Sequence, residues 1–295
     1  MGYQKTMTPE ERLAIIQRYI AKMPPLPATV TKVMAICNDP NATPADLNKI
    51  ISLDPVLMGK VLRLINSAYY GLVQEITSLV RAIIMLGINT VKNLVLSTAV
   101  LSTLGNRRNF QALNMDDFWR HSLSVGVASK LIARKRGAPR NRLEEYFIAG
   151  LLHDLGKIPL NNRFSQDYQE VIHRSRSDAL PLHVAEKASF GIDHADVGRL
   201  ITDNWQLGAD ISDTLFFHHT LEGVAGDNRE IIHSVALANY YVNVKGLGFS
   251  GNCCPQPVRA ENFSGLDITL DYLESVEQEV KSEIERALVF LRVAG

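Results

Sequence analysis

The chain carries no net charge: its 31 Lys and Arg residues are matched by 31 Asp and Glu. It therefore lacks the bulk attraction on which non-specific nucleic-acid binding rests, and only a local basic patch could supply it. Cysteine is scarce. Cys37 and the vicinal pair Cys253 and Cys254 make neither a disulfide framework nor a zinc-ribbon spacing, so buried or incidental thiols are expected. No run approaches the ~20 apolar residues of a membrane span. The opening Met1-Gly2-Tyr3-Gln4-Lys5-Thr6 leads into no apolar core with a cleavage site, so no membrane association and a cytoplasmic location are expected. Alternating, β-branched runs are scarce too, which argues against a sheet. Histidine is missing from a whole region: none precedes His121, and all eight lie between His121 and His233.

What is present reads as helix. Hydrophobic residues make up 46% of 295 positions, enough for a sizeable core, and they recur at three- and four-residue intervals. An all-α fold follows. One device marks several helix starts: Thr8-Pro9 with Glu11, Thr43-Pro44 with Asp46, and Asp54-Pro55 each place a capping side chain before a proline at the first helical position. Helices are expected over 9–22, 28–38, 44–52, 55–67, 78–86 and 90–104, forming an N-terminal lobe over 1–105. After the break at Gly105-Asn106-Arg107-Arg108-Asn109, a long helix over 116–136 opens a second lobe, 106–245. Helices at 142–154, 181–189, 194–206, 209–219 and 229–245 continue it. A Gly-, Ser- and Pro-rich loop over 246–265 and a helix over 274–292 complete the third segment, 246–295. The stripe Val276, Val280, Ile284, Leu288 and Leu291 is too short for a coiled coil and reads as intramolecular packing.

The second lobe holds the candidate chemistry. In Leu151-Leu152-His153-Asp154-Leu155-Gly156-Lys157, neighbouring helical residues diverge by about a hundred degrees. His153 and Asp154 therefore share an ion only at a helix end, which Gly156 suggests. The negative end of the helix dipole favours a cation there, and Lys157 can meet either the last carbonyls or an anionic ligand. Asp117 and His121 share a face of the long helix. Asp193 reads as an N-cap with His194 just inside its helix, and His218-His219 closes another. Histidines and carboxylates converging at helix ends are what a nitrogen- and oxygen-ligated metal centre needs. His173, His183 and His233 read as ordinary surface or core residues. In the first lobe, helices over 44–67 and 78–104 imitate a helix-turn-helix, but Lys60, Arg63, Arg81 and Lys92 are too sparse, so a nucleic-acid partner is not expected.

The hexapeptide Leu152-His153-Asp154-Leu155-Gly156-Lys157 resembles the signature of the HD phosphohydrolase superfamily. Other stretches are similar to the HDOD family of HD-related output domains: Met23-Pro24-Pro25-Leu26-Pro27, Ser52-Leu53-Asp54-Pro55-Val56-Leu57, Leu64-Ile65-Asn66-Ser67-Ala68-Tyr69-Tyr70-Gly71, Ile76-Thr77-Ser78-Leu79 with Met85-Leu86-Gly87, and Phe118-Trp119-Arg120-His121-Ser122. The likeness runs over residues 20–245. It implies two helical lobes, the second an HD-domain-like bundle. It also implies a regulatory, mostly non-catalytic role in bacterial signal transduction, with a signalling protein as partner. By comparison with the related HD-GYP phosphodiesterases, His121, His153, Asp154, His194, His218 and His219 align with metal ligands. Asp117 aligns with an acidic ligand of some members, and Lys157 with a phosphate-contacting lysine.

Two departures bear on the chemistry. The helix expected to bring a closing aspartate reads Ala236-Leu237-Ala238-Asn239-Tyr240-Tyr241, and Thr220-Leu221-Glu222-Gly223 follows His218-His219 with no Gly-Tyr-Pro element. Metal-assisted phosphoester hydrolysis draws on ligand charge to hold the dication while water is acidified, and Asn239 removes one charge. The expectation is a retained pocket for Fe, Zn, Ni or Mn rather than Mg or Ca, no organic cofactor, and weak or lost hydrolysis. The alternative is a phosphohydrolase acting on a nucleotide or cyclic dinucleotide through His153, Asp154 and Lys157. A phosphate-bearing ligand held without cleavage is compatible with either.

Overall fold

The computed structural model describes residues 7–104, 110–222, 224, 226, 228–257 and 270–294, and among these every regular element is a helix. The first lobe runs α1 (Pro9–Ala21), α2 (Ala28–Cys37), α3 (Pro44–Ile51), α4 (Pro55–Ile65), α5 (Leu79–Leu86) and α6 (Ile88–Leu104). The second runs α7 (Met115–Lys135), α8 (Leu143–Leu152), α9 (Lys157–Arg163), α10 (Ser165–Ser177), α11 (Leu182–Phe190), α12 (His194–Trp205), α13 (Ala209–Phe217) and α14 (Arg229–Lys245). Three short helices, α15 (Leu270–Ser275), α16 (Glu277–Ala287) and α17 (Val289–Ala294), end the chain. Among the described residues no single helix is long and apolar enough to cross a membrane. The expected break at 105–109 and the stretch 258–269 lie outside the described residues.

The capping devices form as their spacing predicts. Thr8 and Glu11 exchange side-chain and backbone bonds across the first turn of α1, as do Thr43 and Asp46 on α3, and Asp54 Oδ1 accepts from Leu57 N at 2.9 Å. Each satisfies N–H groups that the helix leaves over, worth about 0.5–2 kcal/mol apiece. Two helices, α9 and α10, occupy a stretch where the sequence pattern predicts none. Pro159 and the polar Asn161-Asn162-Arg163 mask α9, and α10 buries only Tyr168, Val171 and Ser175; packing stabilises both where propensity does not. The C-terminal helix expected over 274–292 is broken into three segments.

One hydrophobic core extends through both lobes. Although α1 precedes the first lobe in sequence, it packs on α9, α11 and α12, while α17 packs back on α4 and α6. Between the lobes the ammonium of Lys130 bonds the Tyr69 hydroxyl at 3.0 Å and the carboxylate of Glu144. Tyr69 also lies edge-on to Phe290, with centroids 5.2 Å apart.

At the centre of the second lobe, α7 crosses α8 at two facing glycines. A Cβ at Gly150 would lie 2.7 Å from the Cα of Gly126, and one at Gly126 would lie 2.6 Å from the carbonyl oxygen of Phe147. Only hydrogen at both positions allows this approach, which brings the rings of His121 and His153 to a centroid distance of 5.5 Å. Gly150→Ala is therefore expected to cost about 1–3 kcal/mol through overpacking, read as a lower urea midpoint. Gly59, exposed on α4 with nothing within 4 Å of a new Cβ, provides the contrast: Gly59→Ala should raise stability by roughly 0.5–1 kcal/mol.

Candidate metal centre

Five imidazoles and a carboxylate meet, His121 from within α7 and the others from beside helix ends. Asp154 lies in the turn between α8 and α9 with no exposed surface. Its Oδ2 is 3.3 Å from His153 Nε2 and 3.6 Å from His121 Nε2, and its Oδ1 is 3.3 Å from His194 Nε2 and 3.9 Å from His218 Nε2. His194 Nε2 lies 3.0 Å from His219 Nε2. Two groups of ligand atoms result, each within a 4.8 Å span: His121, His153 and Asp154, and His194, His218 and His219. His194 is the first residue of α12, behind an Asp193 N-cap, and His218 is the C-cap of α13. A Cβ at Gly156 would fall 1.9 Å from the carbonyl oxygen of His194, so that glycine lets α12 reach the Asp154 turn.

The rings are oriented from behind. His153 Nδ1 lies 2.7 Å from the Gly150 carbonyl and His218 Nδ1 2.9 Å from that of Leu215. A carbonyl only accepts, so each Nδ1 carries the hydrogen and each Nε2 lone pair points into the pocket. For His194 the partner is Glu186, whose Oε2 is 2.5 Å from Nδ1 and accepts the His194 backbone N–H at 2.9 Å, while its Oε1 takes the Tyr168 hydroxyl at 2.6 Å. Carboxylate-backed histidines are a recurring feature of metal sites. Sequence reasoning missed Glu186, although a signal existed: it occupies a buried position on α11 beside Leu182, Ala185 and Phe190, a charge in an apolar stripe.

Burial sets the protonation states. It pushes His121 down to about 3, against the pull of Asp154, and His183 down to about 4. Burial also holds His218 and His219 well below the ordinary histidine range, with neighbouring imidazoles adding to it. Burial opposes ionisation of Asp154, but His153 and Lys157 outweigh it and hold that carboxyl well below its usual range. At neutral pH His121, His218 and His219 are thus neutral imidazoles near an ionised Asp154, the form in which imidazole and carboxylate ligate metal. The Nε2 atoms of His121 and His153 and Oδ1 of Asp154 have no hydrogen-bond partner among the described residues. Buried acceptors without donors fit a cation, so the residues present could hold a metal ion.

The remaining candidates fall as follows. Lys157 is buried, its Nζ 2.7 Å from Asp154 Oδ2 and 3.1 Å from Ser250 Oγ, so its ammonium engages the carboxylate rather than open space. Asp117 is exposed on the first turn of α7 and is not among the gathered atoms. Asn239 stands beside His121, its Oδ1 accepting from Asn243 Nδ2 at 2.7 Å. His183, read from sequence as ordinary, stacks on His219 at a centroid distance of 4.2 Å. His173 is exposed, and His233 is buried away from the set. A cleft of about 280 Å³ opens the pocket along His183, His218, His219, Asn239, Asn243 and Gln256.

The HDOD domain, as a family profile, matches residues 23–221. The chain belongs to the HDOD family. An HDOD domain protein of Geobacter sulfurreducens has a similar structure, 26% identical, with TM-score 0.73 over 94% of this chain and 98% of that one. A proposed phosphohydrolase of Shewanella amazonensis shares the fold at 20% identity and TM-score 0.68, covering 96% of this chain and 98% of that one. An uncharacterised protein of Treponema pallidum is 24% identical over 238 residues, 80% of this chain; the match spans 45% of that relative's length. HDOD membership and the all-helical fold agree with the reading of the sequence.

Two outcomes are expected. Glu186→Ala should weaken metal binding about 10- to 100-fold by freeing the His194 ring, measured by competition with a chromogenic chelator. In chelator-treated protein, the unfolded chain takes up protons at His121, His183, His218 and His219 below pH ~6.5 while the folded chain keeps these four neutral. The folded state binds fewer protons there, so the urea midpoint should drop as pH falls from 7 towards 5; a flat profile would contradict neutral burial.

Proposed function

We propose that this HDOD chain is a regulatory module of bacterial signal transduction, non-catalytic, which binds a signalling protein and keeps one divalent transition metal ion in the pocket around Asp154. The observation that carries the reading is the charge balance. Asp154 is the one carboxylate among the gathered ligand atoms, and the Lys157 ammonium lies 2.7 Å from it. The Glu186 carboxylate behind His194 adds a second buried negative charge, so against the one ammonium a single net negative charge is left to meet a dication. Asn239, beside His121, adds a dipole but no charge.

His121, His153, Asp154, His194, His218 and His219 would hold the ion, and nitrogen-rich surroundings favour Fe, Zn, Ni or Mn. When bound, such an ion supplies Lewis acidity towards water or a phosphoryl oxygen. The chain's own groups do little to extend that chemistry. Among the described residues lining the cleft there is no Lys or Arg, and Glu222 is acidic, so an approaching phosphate meets amides and imidazoles. A single ion is also better matched than two to one carboxylate, since a second dication would lie uncompensated in a buried site.

The cleft itself favours a second reading. It opens onto His218, His219 and Asn239, which gives a phosphoester a route to the pocket. In a metal-dependent phosphohydrolase acting on a nucleotide or cyclic dinucleotide, His153 and Asp154 would hold metal and Lys157 would turn to phosphate. Elemental analysis of protein purified without a chelating column, with hydrolysis assays on a panel of phosphomonoesters and cyclic dinucleotides, decides between them. Expected are close to one Fe, Zn, Ni or Mn per chain, its loss in Asp154→Ala, no turnover, and a captured partner protein that the variant retains. Metal-dependent turnover abolished by Asp154→Ala would establish the enzyme instead, and Asn239→Asp should raise metal affinity in either case.

A further inference from the structure

We propose a second binding site, for a small phosphate-bearing molecule of nucleotide size, in the cationic cleft between α4 and the C-terminal helices α16 and α17. Two adjoining open hollows of about 660 and 550 Å³ share Arg63, Ser67 and Val289 as lining residues. Arg63 projects from α4, Arg286 from α16 and Arg292 from α17, so three guanidinium groups from three helices line one hollow.

The acids nearby do not cancel them. Glu285, the acid lining this inner cavity, is bonded to Arg120 at 3.0 Å. Arg286 bonds Glu283 at 2.9 Å, but Arg63 and Arg292 have no ion pair among the described residues. Glu75 stands in the outer cavity. Planar guanidinium forks match phosphate oxygens two at a time, and the Ser282 hydroxyl lines the same hollow. Leu62 and Ile76 in the outer cavity, with Val289 between the two, offer an apolar surface for the remainder of the ligand.

The wall is held in place beforehand. Asn66 donates from Nδ2 to the Ile76 carbonyl at 2.8 Å and accepts from Ile76 N at 2.7 Å, clamping the 66–76 connection against the end of α4. A rigid wall lowers the ordering cost of binding. The contrast with the metal cleft is one of sign, since no Lys or Arg lines that opening among the described residues. The inference is independent of the metal reading.

The test is titration calorimetry of the full chain with inorganic pyrophosphate and with ADP, in the presence of a chelator so that the metal pocket is silent. Arg63 and Arg292 are exposed, so Arg63→Ala and Arg292→Ala should fold as the parent does. Saturable binding is expected, weakened about tenfold or more in each variant as a charge-assisted bond is lost, and unchanged in Arg174→Ala, whose guanidinium pairs with Asp178 on the surface. ADP binding more tightly than pyrophosphate assigns the apolar wall to a nucleoside; equal affinities assign recognition to phosphate alone. Absence of saturable binding for both probes, or equal affinity in parent and both cleft variants, overturns the site.

Discussion

A carboxylate with no exposed surface has to be compensated by its surroundings, and the second lobe is arranged around that requirement at Asp154. Desolvating an ion costs several kcal/mol, recovered only by close, well-aimed partners. Here the partners are the Lys157 ammonium and four imidazole edges, all contributed by helix termini or by the long α7. The facing glycines of α7 and α8 and the close passage of Gly156 against α12 make sense as conditions for this convergence. The Glu186, Gly150 and Leu215 acceptors then fix which nitrogen of His194, His153 and His218 faces inward.

Much of this was legible in the sequence because it is local. Proline-led caps at Thr8, Thr43 and Asp54, the Asp193 cap before His194, and the helix end at His153 each depend on residues within four positions. The gathering of His153, Asp154, His194, His218 and His219 was legible through their placement near helix ends, and that of His121 through the family likeness. What lay beyond reach depends on distant contacts. Glu186 acquires its role only when α11 lies against the start of α12, and Ser250 only when the loop after α14 folds onto Lys157. His183 joins His219 by stacking across two helices. Asp117 shows the converse: it shares a helix with His121 at the right spacing, yet its carboxylate remains at the surface.

The distribution of charge across the molecule is uneven in a way that net neutrality conceals. The histidine pocket opens through amides, imidazoles and one acid, whereas Arg63, Arg286 and Arg292 line a separate hollow where α17 meets α4. Three of the four cations of the helix-turn-helix-like region have separate surroundings: Lys60 bonds Ser102, Arg63 faces the C-terminal helices and Lys92 lies near Cys37.

The contact of Gly156 with the His194 carbonyl bears on how an ion would be held. Because main chain meets main chain there, the backbone separation between the Asp154 turn and the start of α12 has little give, since interiors resist compression. Rotation of a side chain cannot widen it. On the other side of the cluster stands the half-buried His219, which lines the cleft. For an ion held there, one side of the cluster would be anchored by backbone and the other would border the open cleft.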